Sequence, residues 1–188
     1  MAKPAITSLK TLQSLIDDIF IKEGDVYAEP PRIDQPTGRG GITLRTYQRF
    51  CDAMQPSRRV TALGLQGLTH EEARAIIQWL LEALSQEMGL SAVTFEPLRL
   101  QLLDFGYNSG GALALRWLQR VLRVQRTGVI DASTGIALKC DQWLVHQALI
   151  AARLQMIDLA TGQGGSVDAK FEEGLENRAL TFSLLQVP

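Results

Sequence analysis

Two cysteines and two histidines are all this sequence holds of the residues that build disulfide frameworks and most metal sites. Cys51, Cys140, His70 and His146 lie far apart, and no CxxC, HExxH or Cys/His cluster occurs. A disulfide-stapled fold and a bound metal are therefore not expected, and no cofactor is implied. Each cysteine falls within an apolar helical pattern, which reads as a buried free thiol.

Charge of one sign is lacking too. Lys and Arg number 19 against 20 Asp and Glu, a formal net charge of −1. Nucleic-acid binders draw their phosphate contacts from a basic surplus, so nucleic acid is not an expected partner. A helix-turn-helix regulator built around Thr69–Met88 is set aside on the same ground. Arg116, Arg120, Arg123 and Arg126 recur at a spacing that suits the wet side of a helix. No apolar run approaches ~20 residues, so no membrane span is expected. The N-terminal stretch Met1–Lys10 lacks the apolar core of a signal peptide. The expectation is synthesis in the cytoplasm, with any target in the cell wall or periplasm reached only after release by another component.

What is present is an ordinary globular composition, 46% hydrophobic and 21% charged over 188 residues. A chain of this length buries roughly 70% of the surface its unfolded form exposes. That suits one domain, or one domain with a closely packed C-terminal half. The expected division is an N-terminal half, 1–95, and a C-terminal helical half, 96–188, packed as one unit.

Helical periodicity dominates. Leu12, Leu15, Ile16, Ile19, Phe20 and Glu23 fall on one face of a helix spanning about Leu9 to Glu23, and Gly24 stops it. From Gly24 to Gly41 the chain has three prolines and four glycines. This stretch reads as an irregular loop lobe with room for a short hairpin. A second helix covers Thr43–Met54, with Leu44, Tyr47, Phe50, Cys51 and Met54 inward. Thr69-His70-Glu71-Glu72 is a capping box opening a third, which Gly89 closes.

Glu96-Pro97 starts a helix that is apolar almost all round through Tyr107, as expected of one buried in the middle of a domain. After the break at Asn108–Gly111, another helix carries Leu113, Ala114, Trp117, Leu118, Val121 and Leu122. Helices resume at Ser133–Leu138 and Asp141–Leu159, with a last one over Val167–Leu184. Trp117 and Trp143 read as core residues. Convincing strands are absent, so the expected class is all-α.

Glu23 stands out by position. It lies on the apolar stripe of its helix, at the last turn, where partial burial and the negative end of the helix dipole both favour a protonated carboxyl. A neutral carboxylic acid suits protonation of a glycosidic oxygen; the raised acid of lysozyme is the established pattern for this. The alternative is a Glu turning to solvent at a frayed helix end.

Several segments together resemble a known group. Ile21-Lys22-Glu23-Gly24 looks like a Glu-Gly-Gly motif, and Asp34 to Thr43 is similar to an Asp…Gly-Gly…Thr…Gly-Ile-Thr stretch. Leu68-Thr69, with Ala73 and Ile76, matches the next helix opening. Leu103 to Gly110 resembles a Phe-Asp…Asn-Ser-Gly turn, and Ala114-Leu115-Arg116-Trp117-Leu118-Gln119 an Ala…Trp-Leu-Gln helix. Gly128-Val129-Ile130, Thr134 and Ala137-Leu138 follow in order, and Phe171, Gly174 and Arg178 fit a closing Phe-x-x-Gly-x-x-x-Arg. These motifs resemble the bacterial and phage N-acetylmuramidases of glycoside hydrolase family 108, some labelled secretion activators, over roughly residues 9 to 182. Departures are Asp25 at the second glycine, Ile77, Leu80 and Leu81 at aromatic positions, and Leu175 where the family has Trp.

The resemblance implies a lysozyme-like helical fold and cleavage between N-acetylmuramic acid and N-acetylglucosamine. Glu23 is then the general acid. Asp34 is the candidate second carboxylate or a local turn residue before Pro36, with Asp25 a weaker alternative. Thr43 positions water or substrate, caps a helix, or does both. Tyr107 and Asn108 are candidates for the opposite wall of a substrate cleft; the competing readings are core for Tyr107 and a helix cap for Asn108. Peptidoglycan glycan strands are the implied partner, with a holin or a secretion-machine component as an accessory. The competing reading is a catalytically inactive peptidoglycan-binding or structural module of a phage tail or secretion machine.

Overall fold

In a computed structural model of the chain, residues 11–25, 37–161 and 172–183 are described. Asp34 and most of the irregular lobe lie outside these residues, as does the start of the last expected helix. Among the described residues the fold is all-α: α1 Leu12–Glu23, α2 Leu44–Met54, α3 Ala62–Gln66, α4 His70–Glu87, α5 Glu96–Ser109, α6 Gly111–Leu122, α7 Ala132–Ala137, α8 Gln142–Thr161 and α9 Glu172–Leu180. No helix among them is long and apolar enough to cross a membrane. Two compact units divide the chain, one from Thr11 to Leu84 and one from Ser85 onward.

In the first unit, Thr11 caps α1 by accepting the Ser14 N–H at 3.1 Å, and the Ser14 hydroxyl accepts the Thr11 N–H at 2.8 Å. Leu15, Ile16, Ile19 and Phe20 form the buried stripe of α1. Ala73, Ile76, Ile77 and Leu81 of α4 are also among the buried residues of this unit. Each of the larger of these side chains, the Leu, Ile and Phe, contributes roughly 1.5–3 kcal/mol by leaving water. The capping box on α4 forms as expected: the Thr69 N–H donates to Glu72 Oε2 (2.9 Å) and the Glu72 N–H to Thr69 Oγ1 (3.1 Å). On α2, Tyr47, Phe50 and Cys51 are buried, but Met54 is exposed because it sits on the final turn, just before Gln55 breaks the helix. α3, which no sequence pattern announced, has a single buried residue, Leu65.

The second unit is organised around α5. Pro97, Leu98, Leu100 and the run from Gln101 to Gly106 are buried, so this helix is enclosed on all sides as expected. Gln142 at the start of α8 accepts the N–H groups of Thr94 and Phe95 at 3.0 and 2.9 Å, satisfying donors at the entry to α5. Cys140 is exposed and follows α7 in a turn, so only Cys51 meets the expectation of a buried thiol. Trp143 is likewise exposed. The buried residues of α8 are Gln142, Val145, His146, Leu149, Ile150, Arg153, Ile157 and Thr161, four of them polar, and Trp143 falls outside this stripe. Trp117 is half-buried, with the Arg120 guanidinium 4.7 Å from its ring centroid. Arg116, Arg120, Arg123 and Arg126 are all exposed, the wet face that their spacing indicated.

Candidate functional site

Glu23 is the last residue of α1, and the buried stripe ends three residues earlier at Phe20. Ile21, Lys22 and Glu23 are all exposed, so the helix runs past its core before stopping. The partial burial expected for Glu23 is therefore not found, and its exposure meets the alternative, a Glu at a helix end open to solvent. Its side chain instead lies against main chain. A Cβ built on Gly41 stands 3.2 Å from both Cβ and Oε2 of Glu23.

That approach depends on the turn Arg39–Gly41, a single 3-10 turn in which Gly40 has φ +63° and Gly41 φ +72°. Side-chain-bearing residues rarely adopt this left-handed conformation. Gly40 is buried, and a Cβ there would stand 2.5 Å from Ile77 Cδ1 and 3.1 Å from the Phe20 ring. The turn is held at both ends. The Gly40 N–H donates to the Gly24 carbonyl at 2.8 Å, and the Gly38 N–H to the Ile42 carbonyl at 2.7 Å. Thr37 and Thr43 form an antiparallel bridge, the one trace of the expected hairpin within the described residues. Thr43 then caps α2, its hydroxyl accepting the Thr46 N–H at 3.1 Å.

Beside this turn is a charged cluster that sequence reading missed. Asp25 Oδ1 accepts from Arg39 at 3.1 Å, and Oδ2 stands 3.0 Å from His70 Nδ1. Arg39 also donates to the Asp25 carbonyl, and through Nε to the Leu68 carbonyl at 2.9 Å. The hydrogen bond to His70 leads in holding the Asp25 carboxyl below the usual carboxylate range, with Arg39 adding to it. The His70 ring packs on Phe20, with centroids 4.7 Å apart.

Tyr107 and Asn108 belong to the second unit. Tyr107 is half-buried and Asn108 exposed. The Asn108 amide donates to the Asp104 carbonyl at 2.6 Å, within its own helix, while the cap position of α6 is Gly110. Asn108 is thus not the cap of the following helix. Among the described residues no group of three or more His, Cys, Asp or Glu could hold a metal ion.

Much of the second-half motif pattern resolves into buried polar ties. Asp104 is enclosed between Arg153 (2.8 Å) and Arg178 (2.9 Å). Burial pushes its pKa up, but the two guanidiniums outweigh that and hold it low. Gln119 is fully buried; its amide nitrogen, with two hydrogens to donate, lies 2.8–2.9 Å from Thr127 Oγ1, the Val129 carbonyl and Thr134 Oγ1, and its oxygen accepts the Gly128 N–H at 2.8 Å. The residues named separately in the Trp-Leu-Gln, Gly-Val-Ile and Thr segments meet at one side chain.

No protein-family model matches the sequence, and no curated protein matches it either. A solved structure, that of Brucella abortus SagA, is similar to the chain with a TM-score of 0.61 and 24% identity, covering 94% of this chain and 97% of that one. At that identity the likeness is one of fold.

Proposed function

We propose that the chain is a peptidoglycan hydrolase of the lysozyme type that cleaves between N-acetylmuramic acid and N-acetylglucosamine, with Glu23 as general acid. The observation that carries this reading is the carboxyl of Glu23, exposed at a helix end and laid against the bare main chain of Gly41. An acid that protonates the oxygen between two sugars of a polymer must come within hydrogen-bond reach of it, and Glu23 at the end of α1 is accessible for that. The resemblance to family 108 muramidases, in which this Glu opens the motif, and the fold shared with SagA support it. Asp34 is the proposed second carboxylate and Thr43 a helper whose hydroxyl already caps α2. Tyr107 and Asn108 are proposed to contact the glycan. The enzyme would act in the wall after release, with a holin or secretion-machine component as accessory.

Purified cell walls test the proposal. The wild type is expected to clear a wall suspension, and Glu23→Gln to lose at least about 100-fold of that rate, within the usual contribution of a general acid. Mass spectrometry of the digest identifies the bond cut, and the anomer released reports retention or inversion. Full clearing by Glu23→Gln would end the assignment.

A second reading has its own support. Asp104, Gln119 and Arg178 carry the second-half resemblance, yet they serve internal pairing. A chain with that framework alone would bind or brace the wall without cutting it. Sedimentation with walls that are never solubilised is the outcome that favours this module.

A further inference from the structure

We propose that Asp25, Arg39 and His70 form a clamp that positions Glu23, a role that rests on the hydrolase reading above. Glu23 ends α1, and a long side chain at a helix terminus has much rotational freedom to lose. The residues after it are fixed by two separate ties. Gly24 accepts the Gly40 N–H through its carbonyl. The Asp25 carboxylate is gripped by Arg39 from the 3-10 turn and by His70 from the first turn of α4.

Arg39 reaches further, bonding the carbonyls of Asp25 and Leu68. One guanidinium therefore joins three pieces: the chain just past α1, the turn carrying Gly41, and the chain entering α4. His70 is itself seated on Phe20 of α1. The closed circuit presses Gly41 onto Glu23 and fixes the end of α1 on both sides.

Stability alone accounts poorly for the cluster. The Asp25, Arg39 and His70 side chains are 44%, 35% and 47% exposed, and ion pairs that wet add little to folding. Their geometry does more for position than for stability. Misplacing a reacting group by about 1 Å costs on the order of 100-fold in rate.

The test uses the full chain with Asp25→Ala, Asp25→Asn, Asp25→Glu and Glu23→Gln, assayed on soluble glycan strands. Asp25→Ala is expected to lower kcat by roughly 10- to 100-fold while KM stays nearly constant, the signature of lost transition-state alignment. Asp25→Glu should recover part of the loss because it restores an acceptor for both partners. Asp25→Asn keeps the shape without the charge, and covers the case in which Asp25→Ala fails to fold. Amide exchange supplies a readout independent of turnover: the Gly40 N–H should exchange at least about tenfold faster without the clamp.

If Glu23→Gln is inactive while Asp25→Ala and Asp25→Asn keep wild-type kcat, the clamp is wrong and the hydrolase stands. If the wild type cuts no glycan, the hydrolase reading fails. Gly40 exchange then decides the clamp alone, and an unchanged rate removes it.

Discussion

A methyl group added at Gly40 would meet Ile77 at 2.5 Å, on a backbone already in the left-handed region. Gly40→Ala is therefore expected to cost about 2–4 kcal/mol, conformational penalty and overpacking combined, measurable as a lowered urea midpoint. Gly41→Ala is different. Its nearest contact is the Glu23 side chain, so it should cost only about 1–2 kcal/mol of stability and, on the proposed hydrolase reading, show mainly as lost wall-clearing rate. A third substitution probes the buried carboxamide: Gln119→Leu keeps the bulk but leaves the buried Gly128 N–H without its acceptor. About 2–3 kcal/mol is the expected loss, again by urea titration. Glu23 was legible as a residue of interest because periodicity locates a helix face. Burial and exposure both stayed open for it, since periodicity cannot say where the opposing core ends. Asp25 carried no local pattern; its partners Arg39 and His70 lie 14 and 45 positions away.

Helix ends were the most readable elements. Thr69 with Glu72, Thr43 before α2 and Gly24 after α1 each act as their residue types indicate, because capping is a local reaction between a side chain and nearby amides. Thr69→Ala should destabilise the chain by about 1 kcal/mol, seen as a small drop in thermal midpoint. The five-residue α3 escaped notice, being too short to show a period, and only Leu65 anchors it. The register of α8 is not set by its apolar residues alone. Its inward face includes His146 and Arg153, so a rule that places only apolar residues inside directs Trp143 inward by mistake. Those two polar residues are inward because partners await them. Arg153 meets Asp104, and His146 Nε2 lies 2.9 Å from the Phe182 carbonyl.

Across the whole chain, acid should be the effective denaturant. Burial holds the His146 pKa below its ordinary 6.5, favouring the neutral ring. With the Gln101 amide oriented to accept from the Ile150 N–H, its nitrogen donates to His146 Nδ1 at 2.8 Å, which also requires an unprotonated Nδ1. Asp104 and Glu72 sit below their usual values as well, and backbone and hydroxyl donors around Thr134 hold Asp131 very low. A group with a depressed pKa in the folded state binds fewer protons there than when unfolded. Its contribution is complete above the unfolded value and fades as pH falls through the folded one. Stability should therefore begin to decline below pH ~6.5 with His146 and fall faster below pH ~4 with the carboxylates. Urea titrations across that range check both steps, and His146→Gln should flatten the first. At pH 7, Asp104→Ala should cost about 3–5 kcal/mol, because it strands two enclosed guanidiniums. The all-helical class was legible from period and caps, whereas these pairings over 49 and 74 residues were not. They also govern what kinship between such chains can mean. Asp104, Gln119 and Arg178 serve the frame, so a chain built with all three needs no reactive acid to fold. The residues that fix this frame and the residue proposed to react lie on different stretches of the polypeptide, and a fold can stay intact while a reaction is gained or lost.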